Sequence, residues 1–155
     1  MYNHEPKDYK CPLCILVKHE DTGVTNASDI VFQDNLITAF IAGKWWLTNP
    51  GHVIIIPNKH IENIYDIEEK YLHAIHDFSK KVSLAFKKVY KCDGTSVRQH
   101  NEHAGNQDVW HYHLHVFPRY ENDNLYQNHD KVKWASNEER MPYGEKLRKH
   151  FKFRL

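Results

Sequence analysis

The sequence is poor in cysteine and carries almost no net charge. It has three cysteines among 155 residues, and 21 basic side chains against 20 acidic ones leave a formal net charge of +1. A disulfide framework needs an even set of cysteines, and non-specific nucleic-acid binding needs a strong positive field. We therefore expect neither, and any anionic ligand has to be met by local groups.

Long apolar runs are also missing. No segment approaches the roughly 20 apolar residues that span a bilayer, and the N-terminal stretch has no apolar core of the kind found in secretory signals. We expect no membrane partner and a reducing, cytoplasmic setting. The length predicts a single domain, residues 1–155, in which residues 120–155 form a C-terminal extension.

Hydrophobic patterning predicts an α+β fold with a mainly antiparallel sheet of about five strands. A long helix is predicted from Asp66 to about Tyr90, with Asp66 and Glu69 as its N-terminal capping pair. A short C-terminal helix is predicted around Gly144 to His150. The predicted strands are Ile30–Phe32, Leu36–Ile41, Gly51–Pro57, Thr95–Asn101 and Trp110–Phe117.

Histidine is abundant, and three of the 13 histidines alternate with apolar residues in the last predicted strand. His111, His113 and His115 occupy every second position, where side chains share a face and lie about 7 Å apart. Three interpretations fit the spacing: a histidine-rich surface strand, a set of zinc ligands, or an imidazole nucleophile with its helpers. The triplet alone does not decide among them.

The residues around the triplet favour phosphate chemistry. Asn101 and Gln107 offer neutral amide donors, and Gly105 lets the backbone approach a ligand closely. Together with the segment from Gly51 to His60, this pattern resembles the histidine triad superfamily of nucleotide hydrolases and transferases. The resemblance extends from Cys11 to about Arg119 and rests mainly on the triplet and the Phe-Pro-Arg that follows it.

The resemblance implies separate catalytic roles. His113 matches the nucleophile that takes a nucleoside monophosphate from the α-phosphorus, and His115 is similar to the histidine that contacts the phosphate and the leaving group. Gln107 matches a glutamine near the bridging oxygen, and His52 matches a supporting histidine behind the site. Neutral donors of this kind stabilise charge as it develops in the transition state.

The same resemblance implies substrate contacts. Asn101 corresponds to a phosphate-contacting asparagine, Asn106 is an additional candidate contact, and Gln107 and His115 complete the set. The chain departs from the family in one respect, because the loop at 40–50 has no carboxylate for the ribose hydroxyls. The recognition of ribose and base is therefore not specified by a motif.

Cys11 and Cys14 form a Cys-x-x-Cys pair with three possible meanings. A redox pair normally accompanies a βαβ pattern, which is missing here, and two buried thiols can also be small core residues. The remaining interpretation is a closed tetrahedral zinc site. By resemblance to family members with a similar pair, His60 and His111 complete a structural zinc site.

The function expected from the resemblance is a nucleotide hydrolase. Its substrate is a purine nucleotide or dinucleotide, in the form of a dinucleoside polyphosphate or a nucleoside phosphoramidate, and its intermediate is a covalent nucleotidyl-histidine. Three alternatives stay open: a nucleotidyltransferase or phosphorylase with the same intermediate, a nucleotide-binding module with incidental turnover, and a zinc hydrolase that uses all three triplet histidines as ligands. The family resemblance also implies a homodimer.

Overall fold

An antiparallel five-stranded sheet forms the centre of the computed structural model, which describes residues 2–128 and 130–155. The strands are ordered β1-β2-β4-β6-β5, and β3 pairs with β7 in a separate two-stranded sheet. Their bounds are Ile30–Gln33 (β1), Ile37–Ile41 (β2), Lys44–Trp46 (β3), Val53–Pro57 (β4), Gly94–Gln99 (β5), Leu114–Arg119 (β6) and Val132–Trp134 (β7). The α+β prediction with five antiparallel strands is confirmed, whereas the small second sheet was not predicted.

Three α-helices accompany the sheets: Pro12–Val17 (α1), Glu69–Ala85 (α2) and Asn137–Phe151 (α3). The predicted capping pair of Asp66 and Glu69 is wrong, because α2 begins at Glu69 after Glu68 and has no side-chain cap. The Glu68 carboxylate pairs instead with Lys59 and Lys70, at 2.9 and 2.8 Å. Within the described residues, no helix combines the length and the apolarity that crossing a bilayer requires.

The C-terminal helix is longer than the sequence predicts. A helix around Gly144 to His150 was expected, because Pro142 reads as a helix boundary. The helix instead begins after Ser136, whose hydroxyl accepts from the Glu139 N–H, while the Glu139 carboxylate accepts from the Ser136 N–H. This reciprocal cap stabilises the first turn and places the proline inside the helix.

The strand that contains the triplet starts later than predicted. β6 begins at Leu114 rather than Trp110, because the preceding backbone bonds to a loop instead of to β5. The Tyr112 N–H donates to the Ile61 carbonyl at 2.6 Å. The first two histidines of the triplet therefore lie in a segment before the sheet ladder, and only the third is part of a regular strand.

The two faces of the sheet have different partners. One face packs against α2, with Ile75, Val82, Leu114 and Val116 in a single buried cluster. The opposite face packs against the short α1 through a smaller cluster, formed by Cys11, Leu13, Leu16, Ile30, Phe40 and Ile56. Because α1 has only six residues, part of this second face stays open above β4, β5 and β6.

A buried ion pair joins α3 to the turn that precedes β1. The Arg140 guanidinium contacts the Asp29 carboxylate through Nε and Nη2, at 2.7 and 3.0 Å, and both side chains are buried. Removing the cation leaves an unpaired buried carboxylate, which typically costs 3–5 kcal/mol. This pair therefore fastens the C-terminal helix to the sheet.

We expect Arg140→Met to lower the free energy of unfolding by about 3–5 kcal/mol, because it strands the Asp29 carboxylate. Urea unfolding followed by circular dichroism measures the change. Lys133→Met is the matched control, since Lys133 pairs with Glu139 at the exposed surface and should alter stability little. Equal effects of the two substitutions would contradict this assignment.

Candidate active site

A cavity of about 710 Å³ occupies the open part of the second sheet face. This volume is in the range of small-molecule and cofactor sites. The ionisable side chains on its walls are Lys44, His52, Arg98, His100, Asp108, His113 and His115. Two of the three triplet histidines therefore face a common cavity, while His111 does not line it.

His113 is held with one ring nitrogen free. Its Nδ1 lies 2.7 Å from the His111 carbonyl oxygen, and because a carbonyl only accepts, Nδ1 carries the proton. In a neutral imidazole, Nε2 then keeps its lone pair. The nearest charged group to Nε2 is the Asp108 carboxylate, at 3.7 Å, which is beyond hydrogen-bond distance. This is the arrangement that a nucleophilic imidazole requires.

Burial keeps the imidazole of His113 neutral. The residue is only 3% exposed, and desolvation lowers the pKa of its imidazole from the ordinary 6.5, although the His111 carbonyl and Asp108 oppose the shift. A lowered pKa means that the proton leaves at a lower pH. At neutral pH the ring is therefore uncharged and its Nε2 is available for attack.

His52, which is buried, and His115, which is half-buried, form a pair of imidazoles beside His113. Nδ1 of His115 lies 3.3 Å from Nε2 of His52, and His52 stacks on Phe117 with ring centroids 4.4 Å apart. Burial lowers the pKa of His52 to about 3 and that of His115 well below 6.5. Both rings are therefore neutral and offer hydrogen bonds without adding positive charge.

The loop before the triplet places two predicted residues at the cavity. Asn106 lines it in the left-handed backbone conformation, with φ of 67°, which asparagine tolerates. Gln107 also lines it, but its amide donates to the carbonyls of Glu62 and Val109, at 2.7 and 3.1 Å. Its carbonyl oxygen accepts from the Glu102 N–H at 2.8 Å. In this structure the Gln107 side chain therefore holds the loop together.

Asn101, predicted as a phosphate contact, does not line the cavity, whereas its neighbour His100 does. The Asn101 amide oxygen accepts from the Ile64 N–H at 2.8 Å. Nδ1 of His100 lies 2.6 Å from the Gly105 carbonyl oxygen. Its ring centroid lies 6.3 Å from that of His115.

Arg98, Asp108 and Trp46 line the cavity but are not among the predicted site residues. Arg98 lies on β5 directly opposite His115, Asp108 is the single carboxylate among the lining side chains, and Trp46 comes from the small second sheet. Alternation along a strand puts Arg98 on one of its two faces, but only the register with β6 shows that this is the cavity face. Trp45, in contrast, is buried in the core.

The four predicted metal ligands lie close together in space beside α1, near the N-terminus. The donor atoms of Cys11, Cys14, His60 and His111 all lie within 4.8 Å of one another. Nδ1 of His111 is 3.3 and 3.5 Å from the two sulfurs, and Nδ1 of His60 is 3.2 Å from the Cys14 sulfur. Tetrahedral zinc holds sulfur and nitrogen ligands about 3.6 Å apart, so the spacing fits a zinc-sized ion.

The outer nitrogens of both imidazoles support the same geometry. Nε2 of His111 donates to the Pro57 carbonyl at 2.9 Å, and Nε2 of His60 donates to the Glu5 carboxylate at 2.8 Å. A bound metal ion would take the Nδ1 lone pair of each ring, because the single proton of the neutral imidazole is then on Nε2. Metal-bound histidines usually have such a partner on the other nitrogen, which fixes the ring and raises its basicity.

The two thiols are electronically unequal. A hydrogen bond from the Cys14 thiol and the proximity of His111 lower the pKa of Cys11 to about 3, although burial opposes this. The same hydrogen bond raises the pKa of Cys14. A thiolate therefore forms readily in this pair, and a bound cation would displace the remaining proton. The donor set of this cluster fits zinc.

The cluster and the cavity use different histidines. Among residues 2–128 and 130–155, the four-residue cluster is the group whose donor atoms approach closely enough to hold an ion, and His113 and His115 are not part of it. The geometry therefore does not support a single metal held by all three triplet histidines. It separates one histidine near the cysteines from two in the cavity.

The family comparison agrees with the fold and with the arrangement of the site. The chain belongs to the HIT domain family, whose model matches residues 24–122. Among similar proteins is a HIT-like protein of Saccharolobus solfataricus that has no assigned function. It is 31% identical over 113 residues, which cover 73% of this chain and 76% of that protein.

Two relatives carry the names of enzymes. The asymmetrical bis(5′-nucleosyl)-tetraphosphatase of Schizosaccharomyces pombe is 28% identical over 109 residues, covering 67% of this chain and 59% of that protein. The purine nucleoside phosphoramidase of Escherichia coli is 32% identical over 92 residues, covering 57% and 74%. Members of the family that resemble this chain thus include nucleotide hydrolases.

A solved structure confirms the fold. A zinc-bound histidine triad family protein of Mycobacterium smegmatis superposes with a TM-score of 0.73 at 22% identity. The alignment covers 92% of this chain and 94% of that protein. The antiparallel sheet, the long helix and the C-terminal helix therefore form the arrangement of this family.

We expect the imidazoles of His113 and His115 to titrate below pH 6.5, because burial disfavours their charged forms. Histidine NMR resonances followed from pH 8 downward measure this directly. The same resonances in urea-unfolded protein are the control, since exposed histidines titrate near 6.5. Folded-state midpoints at or above the unfolded values would contradict the interpretation of buried, neutral rings.

Proposed function

We propose that this protein hydrolyses a purine nucleotide at its α-phosphorus, through a covalent nucleotidyl intermediate on His113. The main observation behind this proposal is the neutral His113 ring, which lines the cavity. Its Nδ1 donates a hydrogen bond to a backbone carbonyl, which leaves Nε2 unprotonated. The tetraphosphatase and phosphoramidase names of two relatives support this chemistry. The proposed substrate is a dinucleoside polyphosphate or a nucleoside phosphoramidate.

In the first step, Nε2 of His113 attacks the α-phosphorus. The N–P bond forms as the P–O or P–N bond to the leaving group breaks, and the leaving group departs with the bonding electron pair. The His111 carbonyl stabilises the positive charge that develops on the ring, because it already accepts from Nδ1. Because this hydrogen bond already positions the ring, the His113 side chain does not have to move during the attack.

In the second step, water attacks the same phosphorus and the N–P bond breaks. His113 regains its lone pair, and the nucleoside monophosphate leaves with the oxygen from water. The leaving group of the first step takes up one proton and the attacking water releases one to solvent, so the protons balance. His115 is the proposed contact to the phosphate and the leaving group, and His52 supports it through the 3.3 Å imidazole contact. Neutral rings stabilise charge in the transition state without binding the anionic product too tightly.

The proposal assigns different roles to the three predicted residues of the loop. Asn106 lines the cavity and is a proposed phosphate contact. Gln107 and Asn101 stay predicted contacts, although in this structure their side chains bond to the backbone of the protein. Substrate contact through either amide would therefore require the loop to exchange an internal hydrogen bond for one to phosphate.

We also propose that the cysteine cluster binds zinc as a structural ion. Cys11, Cys14, His60 and His111 supply two sulfurs and two nitrogens, a closed set that leaves no position for substrate. Zinc there would tie α1 to the end of β4 and to the backbone carbonyl that orients His113. A homodimer is part of the same proposal and rests on the family resemblance alone.

We expect a covalent nucleoside monophosphate adduct on His113 when the protein is mixed with diadenosine polyphosphates or adenosine phosphoramidate. Mass spectrometry after alkaline quenching detects it, since phosphoramidate bonds are labile in acid. His113→Ala should remove the adduct and lower turnover roughly 10³-fold or more. His73→Ala, on the exposed side of α2, is the matched control.

The outcomes separate the alternatives. Turnover without an adduct would contradict the covalent mechanism, and nucleotide binding without turnover would indicate a binding module. Added inorganic phosphate discriminates the transferase, because phosphate in place of water yields a nucleoside diphosphate as product. Absence of both turnover and adduct with every substrate would overturn the proposed hydrolase.

We expect zinc to bind once per chain and to raise the melting temperature, because an ion that binds only the folded state stabilises it. Elemental analysis and thermal unfolding measure the two effects. Cys14→Ser should lose the zinc, whereas Cys92→Ala, which changes a buried cysteine outside the cluster, should keep it. Equal zinc content in both variants would exclude this site.

A further inference from the structure

Arg98 is a cation that the proposed mechanism does not use. It lies on β5 opposite His115 and lines the cavity, and it forms no ion pair among the described residues. Its guanidinium carbon lies 4.5 Å from the ring centre of Phe117 and 4.9 Å from that of Trp46. The charged group therefore lies against two aromatic rings on the cavity wall.

The aromatic contacts hold the guanidinium but do not saturate it. A ring face attracts the cation, but it does not accept hydrogen bonds as a carboxylate or carbonyl oxygen does. Nε of Arg98 is buried and has no hydrogen-bond partner among the described residues. The Arg98 side chain therefore keeps a buried donor available to a ligand.

The other unsatisfied polar atoms lie in the same place. Within the described part of the chain, the buried side-chain nitrogens and oxygens that lack a partner belong to Trp46, His52 and Arg98. All three side chains line the cavity, and all three rings or guanidinium groups contact Phe117. Folded proteins rarely leave buried donors unpaired, because such a donor has lost its hydrogen bonds to water without gaining one in the protein.

The chemistry of these atoms favours an anion. Trp46 Nε1 and the guanidinium of Arg98 are donors only, and Lys44 adds a second cation to the cavity wall. The single acidic side chain on the wall, Asp108, lies near His113 instead, 3.7 Å from its Nε2. Arginine is suited to phosphate because its planar fork binds two oxygens at once.

We propose that Arg98 and Trp46 form a second phosphate subsite, which binds a phosphate group of the substrate other than the one that His113 attacks. The inference rests on the proposed function for the identity of the reacting phosphate. It selects polyphosphate substrates over nucleoside phosphoramidates, which carry a single phosphate. Trp46 lies on β3, within the segment 40–50 that has no carboxylate, so in this proposal the segment contributes to anion binding.

Binding of inorganic tripolyphosphate, measured by calorimetry, tests the subsite without requiring turnover. We expect the wild-type protein to bind it and Arg98→Gln to bind about 10–100-fold more weakly, since hydrogen bonds to charged groups contribute that much. Trp46→Phe keeps the aromatic face but removes the N–H, and should weaken binding several-fold. Lys88→Gln removes an exposed charge outside the cavity and is the control.

A kinetic comparison tests the selectivity. Arg98→Gln should lower kcat/KM for diadenosine tetraphosphate at least tenfold more than for adenosine phosphoramidate, and melting curves should show that the variant folds. Equal losses on both substrates, or tripolyphosphate binding that does not depend on Arg98, would overturn the subsite. If neither substrate were turned over, the proposed hydrolase would fail, and the binding measurement would still decide the subsite.

Discussion

The hydrogen bond between Nδ1 of His113 and the carbonyl oxygen of His111 connects the two sites of the molecule. It fixes the tautomer of the cavity histidine, and its acceptor belongs to the residue whose side chain lies against the cysteines. The His111 ring is held on its other side by the Pro57 carbonyl. The position of the cavity imidazole therefore depends on groups that never touch the cavity.

Burial, more than charge, sets the chemistry of the cavity. His52, His113 and His115 are enclosed without a carboxylate within hydrogen-bond distance, so desolvation dominates and keeps all three rings neutral. Fixed positive charge on the wall comes from Arg98, which lies opposite His115 on the neighbouring strand, and from Lys44. An anionic phosphate can thus be drawn in by the cations while an uncharged nitrogen remains free to attack it.

Residue patterns predicted the sheet, which the structure confirms, but the cavity wall less completely. The spacing of the two cysteines is a local signal for a metal site, whereas the family resemblance added His60 and His111, and the structure brings the four donor atoms within 4.8 Å of one another. Arg98 becomes a site residue only through strand register, and Trp46 only through the pairing of β3 with the distant β7. His100 and Asn101 are neighbours in the sequence. The geometry of the loop decides that the His100 side chain lines the cavity, while the Asn101 side chain bonds to the Ile64 N–H.

The loop before the triplet shows how such geometry is maintained. Glu102 has φ of 60° and ψ of 170°, a conformation that is nearly restricted to glycine and costs a side-chain-bearing residue about 1–3 kcal/mol. Its N–H donates to the Gln107 amide oxygen, and its carbonyl accepts from the backbone N–H of Gly105 and of Gln107. These bonds offset the strain. The Gln107 amide thus holds the backbone that positions Asn106 and the cavity histidines. In the proposed mechanism, Gln107 therefore contributes to phosphate binding indirectly, by maintaining the conformation of this loop.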